Sequence, residues 1–191
     1  MRRITVVEHV SLDGVFQAPG GPDEDRRGGF DRGGWGHAYN DEVLAAKMGA
    51  RMSAGPGVLL FGRRTYEQFF SFWPHQHGDP YREVLEANEK FVVTTRPDEP
   101  LPWRNSTAVR PADLAALKAG DGPDLTVLGS GQVVAALREQ GLVDQYVLTI
   151  CPIVLGTGRR LFEPGAGQRL RLVESLPTTS GAIIATYQVE S

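Results

Sequence analysis

Twice in this chain a short apolar run reaches a glycine and passes straight into a helical pattern. Gly57-Val58-Leu59-Leu60-Phe61 leads into Gly62-Arg63-Arg64-Thr65-Tyr66, and Leu125-Thr126-Val127-Leu128 leads into Gly129-Ser130-Gly131-Gln132-Val133. Apolar runs of that length bounded by turn residues are buried strands rather than helices. A buried strand feeding directly into a helix belongs to a mainly parallel sheet with helices on its faces. The first N–H groups of each following helix have no internal partners and lie at the positive end of its dipole, an arrangement that binds phosphate. Two such turns in one sheet suit a ligand with two phosphate positions, such as a dinucleotide across the C-terminal ends of the strands. The other reading of Gly62 is a plain turn, with Arg63 and Arg64 as surface charges. Neither stretch is a GxGxxG fingerprint, and no Gly-Lys-Ser/Thr of a Walker loop occurs.

The rest of the chain fits the same layout. Residues 3–10 read as a strand, a helix runs from Asn40 or Asp41 to about Ser53 with Asn40 as its cap, and 81–88 read as helix. Residues 90–95 read as a strand, a helix begins at Pro111, and 143–151 form a strand. Leu170 to Val189 read as two strands joined by a turn at Thr179-Ser180-Gly181. Strands and helices alternate until about residue 150 and strands then follow one another, so the antiparallel part lies at the C-terminal edge. The expected fold class is α/β, with one domain over residues 1–191. The stretch from Gly14 to Gly36 is too rich in Gly, Pro and Asp for regular structure. Its part from about Gly20 to Gly34 is expected to be mobile without ligand, as a lid.

Bulk properties narrow the function classes. The formal charge of −3 argues against broad capture of nucleic acid, which needs a basic face. The single Cys151 permits no internal disulfide, which is compatible with a reducing compartment. Glu8, His9 and Asp13 interrupt the N-terminal run too soon for a signal peptide, and no segment approaches a membrane span. The expectation is a cytoplasmic protein with a small-molecule substrate and no nucleic-acid or membrane partner. The apolar strands at Val147–Ile150 and Ala182–Ala185 predict a homodimer.

Other candidates carry less. Val92-Val93-Thr94-Thr95-Arg96-Pro97 ends a strand in two hydroxyls and an arginine, which suits a 2′-phosphate, though threonine in a strand and arginine before proline are both ordinary. His75-Gln76-His77 resembles a metal pair but has no third ligand nearby in the chain, so no metal is expected. Ser11, His9 and Asp13 could be drawn as a triad, but three residues of one strand end are not expected to act as one. His9 could donate a proton or merely bond backbone. Trp35, Phe16 and Tyr66 could stack on a planar substrate, or simply pack in the core.

Four segments occur in order: Ser11-Leu12-Asp13-Gly14, Gly62-Arg63-Arg64-Thr65-Tyr66, Gly129-Ser130-Gly131-Gln132-Val133, and Pro152-Ile153-Val154-Leu155-Gly156-Thr157-Gly158 with Leu161-Phe162. Together they resemble the dihydrofolate-reductase-like family that includes the reductase domain of bacterial riboflavin biosynthesis, over essentially the whole chain. The resemblance implies a sheet of about eight strands and NADPH bound in an extended pose. It assigns Gly62, Arg63, Arg64 and Thr65 to the first phosphate turn, and Gly129, Ser130, Gly131, Gln132 and Val133 to the second. Thr94, Thr95 and Arg96 fall at the adenosine 2′-phosphate, and Asp13 and Gly14 at the loop beside the nicotinamide. Trp35 and Phe16 fall among substrate contacts, and Asp41, with His9 behind it, is the candidate proton donor or substrate anchor. Two departures set this chain apart from the riboflavin reductases: Val15 stands where they resemble lysine, and Leu128-Gly129-Ser130 lacks their preceding glutamate. The implied activity is NADPH-dependent reduction of a small planar compound. The alternative is a nucleotide- or drug-binding protein of the same fold without turnover.

Overall fold

Eight strands form one sheet in the order β4-β3-β2-β5-β1-β6-β8-β7. They are β1 (Ile4–Ser11), β2 (Val58–Gly62), β3 (Glu89–Val93), β4 (Ser106–Val109), β5 (Leu125–Leu128), β6 (Gln145–Cys151), β7 (Leu170–Pro177) and β8 (Ile183–Val189). The helices are α1 (Glu42–Ser53), α2 (Arg63–Phe72), α3 (Pro80–Ala87), α4 (Leu114–Ala119) and α5 (Gly131–Glu139). The computed structural model describes residues 1–53, 57–163, 165 and 167–190. β2 pairs in parallel with β3 and β5, and β3 with β4, while β8 pairs antiparallel with β6 and β7. The α/β sheet with an antiparallel C-terminal edge is the expected one.

The chain packs as two compact units. The first holds residues 1–6 and 49–144. Every residue of β2 is buried, and Phe61, Tyr66, Leu85, Val92 and Trp103 form one aromatic-rich core. Tyr66 is therefore packing, with its hydroxyl oxygen accepting the Trp103 N–H at 2.7 Å. β4 was not expected from the sequence, being a four-residue run of Ser-Thr-Ala-Val with no fully buried position. It is a strand because β3 offers it a free edge, with register from Lys90↔Ser106 to Val93↔Val109.

The second unit holds residues 7–48 and 145–191. Its core joins Val15, Ala18, Phe30, Trp35, Cys151, Leu155 and Ala182. Asp41, not Asn40, caps α1: Asp41 Oδ1 accepts the Leu44 N–H at 2.9 Å, while Asn40 closes a preceding 3-10 turn. The glycine-rich stretch expected as a mobile lid is folded on itself. Gln17 organises it, donating from Nε2 to the Asp25 and Arg27 carbonyls and accepting the Arg159 N–H at Oε1. Gly34 N–H to Ala18 carbonyl (2.8 Å) and Gly36 N–H to Pro19 carbonyl (3.0 Å) tie its two arms together. These hydrogen bonds act together with the burial of Val15, Ala18, Phe30 and Trp35 from the same stretch.

Candidate functional site

In the first unit the parallel register sets the ends of β2, β3 and β5 side by side, with Gly62 opposite Val93 and Leu60 opposite Val127. The turns at Gly62–Thr65, Thr94–Arg96 and Gly129–Val133 therefore leave the same edge of the sheet. Gly62 is extended (φ −82°) and caps α2 without a side chain, leaving the Arg63, Arg64 and Thr65 N–H groups as orphan donors. Ser130 caps α5 in a left-handed conformation (φ 77°, ψ 74°), again with no side-chain cap bond. The N–H groups of Gly131 and Gln132 open to the same edge, whereas those of Val133 and Val134 return to the Ser130 carbonyl. Arg64 is exposed and makes no ion pair among the described residues. The edge thus offers two helix N-termini and one free guanidinium, which suits a polyanion.

Three assignments on this edge change. Arg63 is already engaged within the protein: its Nε donates to Glu67 Oε1 at 2.6 Å, Nη2 to the Pro100 carbonyl at 3.0 Å and Nη1 to the Glu99 carbonyl at 3.4 Å. Val133 is a core residue with its N–H satisfied, so it shapes the turn rather than touching a ligand. Thr94 is buried and its Oγ1 accepts the Arg96 N–H at 3.0 Å, so it builds the turn, leaving Thr95 and Arg96 as its exposed members.

In the second unit the two aspartates are structural. Asp13 accepts from Ser11 Oγ (2.7 Å) and from the N–H groups of Leu155 (3.0 Å) and Gly156 (2.8 Å). These bonds hold its carboxyl down at about 2. Leu12 N–H to Ile153 carbonyl and Leu161 N–H to Gly14 carbonyl add to the clamp, so the first and last motifs of the ordered set bind each other. Gly14 (φ +80°) makes the turn. Asp41 accepts from Leu44 N–H, Ser180 N–H and Thr179 Oγ1, which hold its carboxyl well below the usual range. An aspartate bonded through both oxygens and held ionised is poorly suited to donate a proton, which argues against that half of the expectation for Asp41 and leaves the substrate-anchor half as it was. Trp35 is likewise core: it is buried, and Nε1 donates to the Gln17 carbonyl at 2.8 Å. Phe16 is half-buried, with its N–H on the Arg159 carbonyl. Burial pulls His9 down to about 4, so it is a neutral imidazole rather than an acid at neutral pH.

The residue that sequence reasoning missed is Glu8. It is 6% exposed, its Oε1 has no hydrogen-bond partner, and burial, with the neighbouring Glu24 second, pushes its carboxyl up to about 8. Glu24 is raised by burial too, while its Oε2 accepts from the Gly20 and Gly21 N–H groups. Glu8 is thus a carboxylic acid that keeps its proton near neutrality. A glutamate inside an otherwise β-branched buried strand was the available signal.

Comparison with known proteins agrees with the fold. The chain is 25% identical over 139 residues to the uncharacterised Bacillus subtilis protein YyaP, covering 68% of this chain and 72% of YyaP. It is 28% identical over 111 residues to YwjB of the same organism, covering 55% and 58%. A crystal structure from Shewanella sp. PV-4, of a protein assigned provisionally to riboflavin biosynthesis, matches at TM-score 0.70 and 25% identity over 99% of both chains. Enterococcus faecalis dihydrofolate reductase, complexed with NADP(H), matches at TM-score 0.62 and 15% identity over 99% of this chain and 97% of its own, which shows the shared fold. A pyrimidine reductase-like protein of Corynebacterium diphtheriae matches at TM-score 0.64 and 14% identity, over 100% of this chain and 92% of its own. The model of the RibD C-terminal domain matches residues 2–184, and the chain belongs to that family, with its reductase-type fold.

Proposed function

We propose that this protein is an NADPH-dependent reductase of a small, planar or heterocyclic substrate. The observation that carries it is the shared edge of β2, β3 and β5, from which two helix N-termini without side-chain caps, Arg64 and the Thr95-Arg96 pair all leave. In this reading the Arg63–Thr65 and Gly131–Gln132 N–H groups hold the pyrophosphate, and Arg96 meets the adenosine 2′-phosphate. The nicotinamide, when bound, supplies the hydride. The chain's part is to bind the nucleotide and orient it along this edge. The test is calorimetric binding of NADPH followed by loss of its absorbance across a panel of C=N, C=C and C=O heterocycles. No binding of either nicotinamide nucleotide removes the reading.

A binding protein without turnover is the second reading. It is favoured by one observation: Asp41, the carboxylate expected as proton donor or substrate anchor, and Asp13, expected beside the nicotinamide, are both held by backbone N–H groups. Tight NADPH binding with no consumption over the whole panel would favour it.

The reading includes a homodimer. Val147, Leu148, Ile184 and Ala185 are buried within one chain, whereas Ile183 is exposed on β8, as are Leu172 and Val173 on the edge strand β7. Sedimentation as a monomer at micromolar concentration would remove this part alone.

A further inference from the structure

Glu99 lies on the turn after β3 with its carboxylate divided between two arginines of different origin. Oε1 is 2.8 Å from Arg96 Nη1, on the same turn, and Oε2 is 3.4 Å from Arg63 Nη2, at the start of α2. The turn is closed by the Glu99 N–H on the Arg96 carbonyl (3.2 Å), and the Glu99 carbonyl faces Arg63 Nη1. Two guanidiniums converging on one oxyanion is how proteins hold a phosphate monoester. Here the oxyanion is the protein's own.

The charges around it cancel. Arg63 and Arg96 are opposed by Glu67 and Glu99, two cations against two carboxylates. A dianion arriving at this corner meets no net positive charge while Glu99 is in place. Arg63 is held firmly, at 15% side-chain exposure, whereas Glu99 is 41% exposed and Arg96 61%. Glu99 is therefore the member free to swing out and be replaced.

We propose that Glu99 is the specificity-determining residue of the nucleotide end, a carboxylate that holds the place of the 2′-phosphate between Arg63 and Arg96 and so narrows the preference for NADPH over NADH. The proposal rests on the placement of the adenosine end at Thr95-Arg96 made above. A nucleotide with a 2′-phosphate must displace Glu99 and gains only the difference between two anions at the same guanidiniums. A nucleotide with a free 2′-hydroxyl leaves Glu99 where it is, and a carboxylate beside a ribose hydroxyl is an acceptor for it.

The experiment compares 2′,5′-ADP with 5′-AMP, together with NADPH and NADH, by calorimetry on wild type, Glu99→Gln, Glu99→Ala and the Arg96→Ala/Glu99→Gln pair. Wild type is expected to favour the 2′-phosphorylated probes by less than roughly tenfold. Removing the carboxylate in either Glu99 variant should tighten 2′,5′-ADP and NADPH by roughly three- to tenfold, as befits partly exposed charges, with 5′-AMP and NADH unchanged or weaker. The double variant should lose the gain, because Arg96 is what Glu99 releases. Nucleotide binding with an unchanged ratio in both Glu99 variants, or a gain that survives loss of Arg96, overturns the proposal and leaves the cofactor reading standing. Failure of every variant to bind any of the four probes overturns the cofactor reading and the proposal with it.

Discussion

Gly62 and Ser130 interlock. A Cβ on Gly62 would overlap Ser130 Oγ, lie 2.9 Å from Ser130 Cβ and 3.2 Å from Val133 Cγ2. The two phosphate-type turns are thus one packed object: the glycine expected to admit a ligand admits the other turn. On the other side of the contact, a Cβ on Gly129 (φ +67°) would lie 2.9 Å from Thr65 Cγ2.

Gly62→Ala should therefore destabilise by about 1–3 kcal/mol, the usual range for overpacking. Ser130→Gly removes both a left-handed non-glycine residue and the clashing side chain, so Gly62→Ala should cost less in that background. Chemical denaturation of the four members of the cycle should show a coupling of roughly 0.5–3 kcal/mol. Additive effects would mean that the turns do not touch in solution.

Glu8 and His9 predict a stability maximum in mildly acidic solution. Glu8 is raised from 4.5 to about 8, so its folded form binds the proton more tightly than the unfolded chain. Its contribution is complete below 4.5, falls as pH rises, and is gone above about 8. His9 is lowered from 6.5 to about 4, so its folded form resists protonation and stability is lost as pH falls through that window. Every tenfold difference in proton affinity between folded and unfolded chain corresponds to about 1.4 kcal/mol as an order of magnitude. Glu8→Gln should flatten the alkaline limb, leaving the variant more stable than wild type at pH 8 and little changed at pH 5. Denaturant melts at pH 5, 6.5 and 8 decide it, and equal slopes in the two proteins would show that Glu8 ionises normally.

Asp41 should behave as a clamp and not as an acid. Its carboxyl is depressed, so the stability it contributes is present above the ordinary carboxylate range and lost as pH falls through its own lower one. Asp41→Ala should lower Tm at neutral pH by uncapping α1 and releasing Thr179 and Ser180, and Asp41→Asn should recover part of the loss. NADPH affinity of the folded variants should stay within about threefold, well under the tenfold that 1.4 kcal/mol represents. A wild-type Tm for Asp41→Ala would contradict the three bonds drawn to it.

Arg63 and Arg64, adjacent in sequence, should separate in experiment. Arg64→Ala removes the free guanidinium and should weaken NADPH and NADH alike by roughly tenfold, the scale of one charge-assisted bond. That loss should shrink at high salt. Arg63→Ala should lower Tm, since its guanidinium ties α2 to the Glu99 and Pro100 carbonyls, and should weaken NADPH more than NADH, since the same guanidinium meets the Glu99 carboxylate. If Arg63→Ala weakens both nucleotides without loss of stability, the division between the two arginines is reversed.

The sheet and its turns were legible because they depend on near neighbours in the chain. Val58–Phe61 is apolar on both faces and Leu125–Leu128 at all but Thr126, and the glycines that follow announce the change of direction, so strand type, helix starts and the antiparallel end could be read directly. β4 could not, since Ser106–Val109 becomes a strand only by completing the edge of β3. The site was legible as positions and not as roles. Whether an arginine is free like Arg64 or engaged like Arg63 depends on Glu67, Glu99 and Pro100, up to 37 residues away. Whether an aspartate is an acid or a clamp depends on N–H groups 142 and 139 residues along the chain, on Leu155 for Asp13 and Ser180 for Asp41. Glu8 needed both kinds of information: the strand pattern buries it, but only the fold brings Glu24 beside it and leaves its Oε1 without a partner. Local sequence determines backbone direction through burial pattern and turn chemistry. The ionisation and availability of a side chain are set by desolvation and by hydrogen-bond partners that only the tertiary structure supplies.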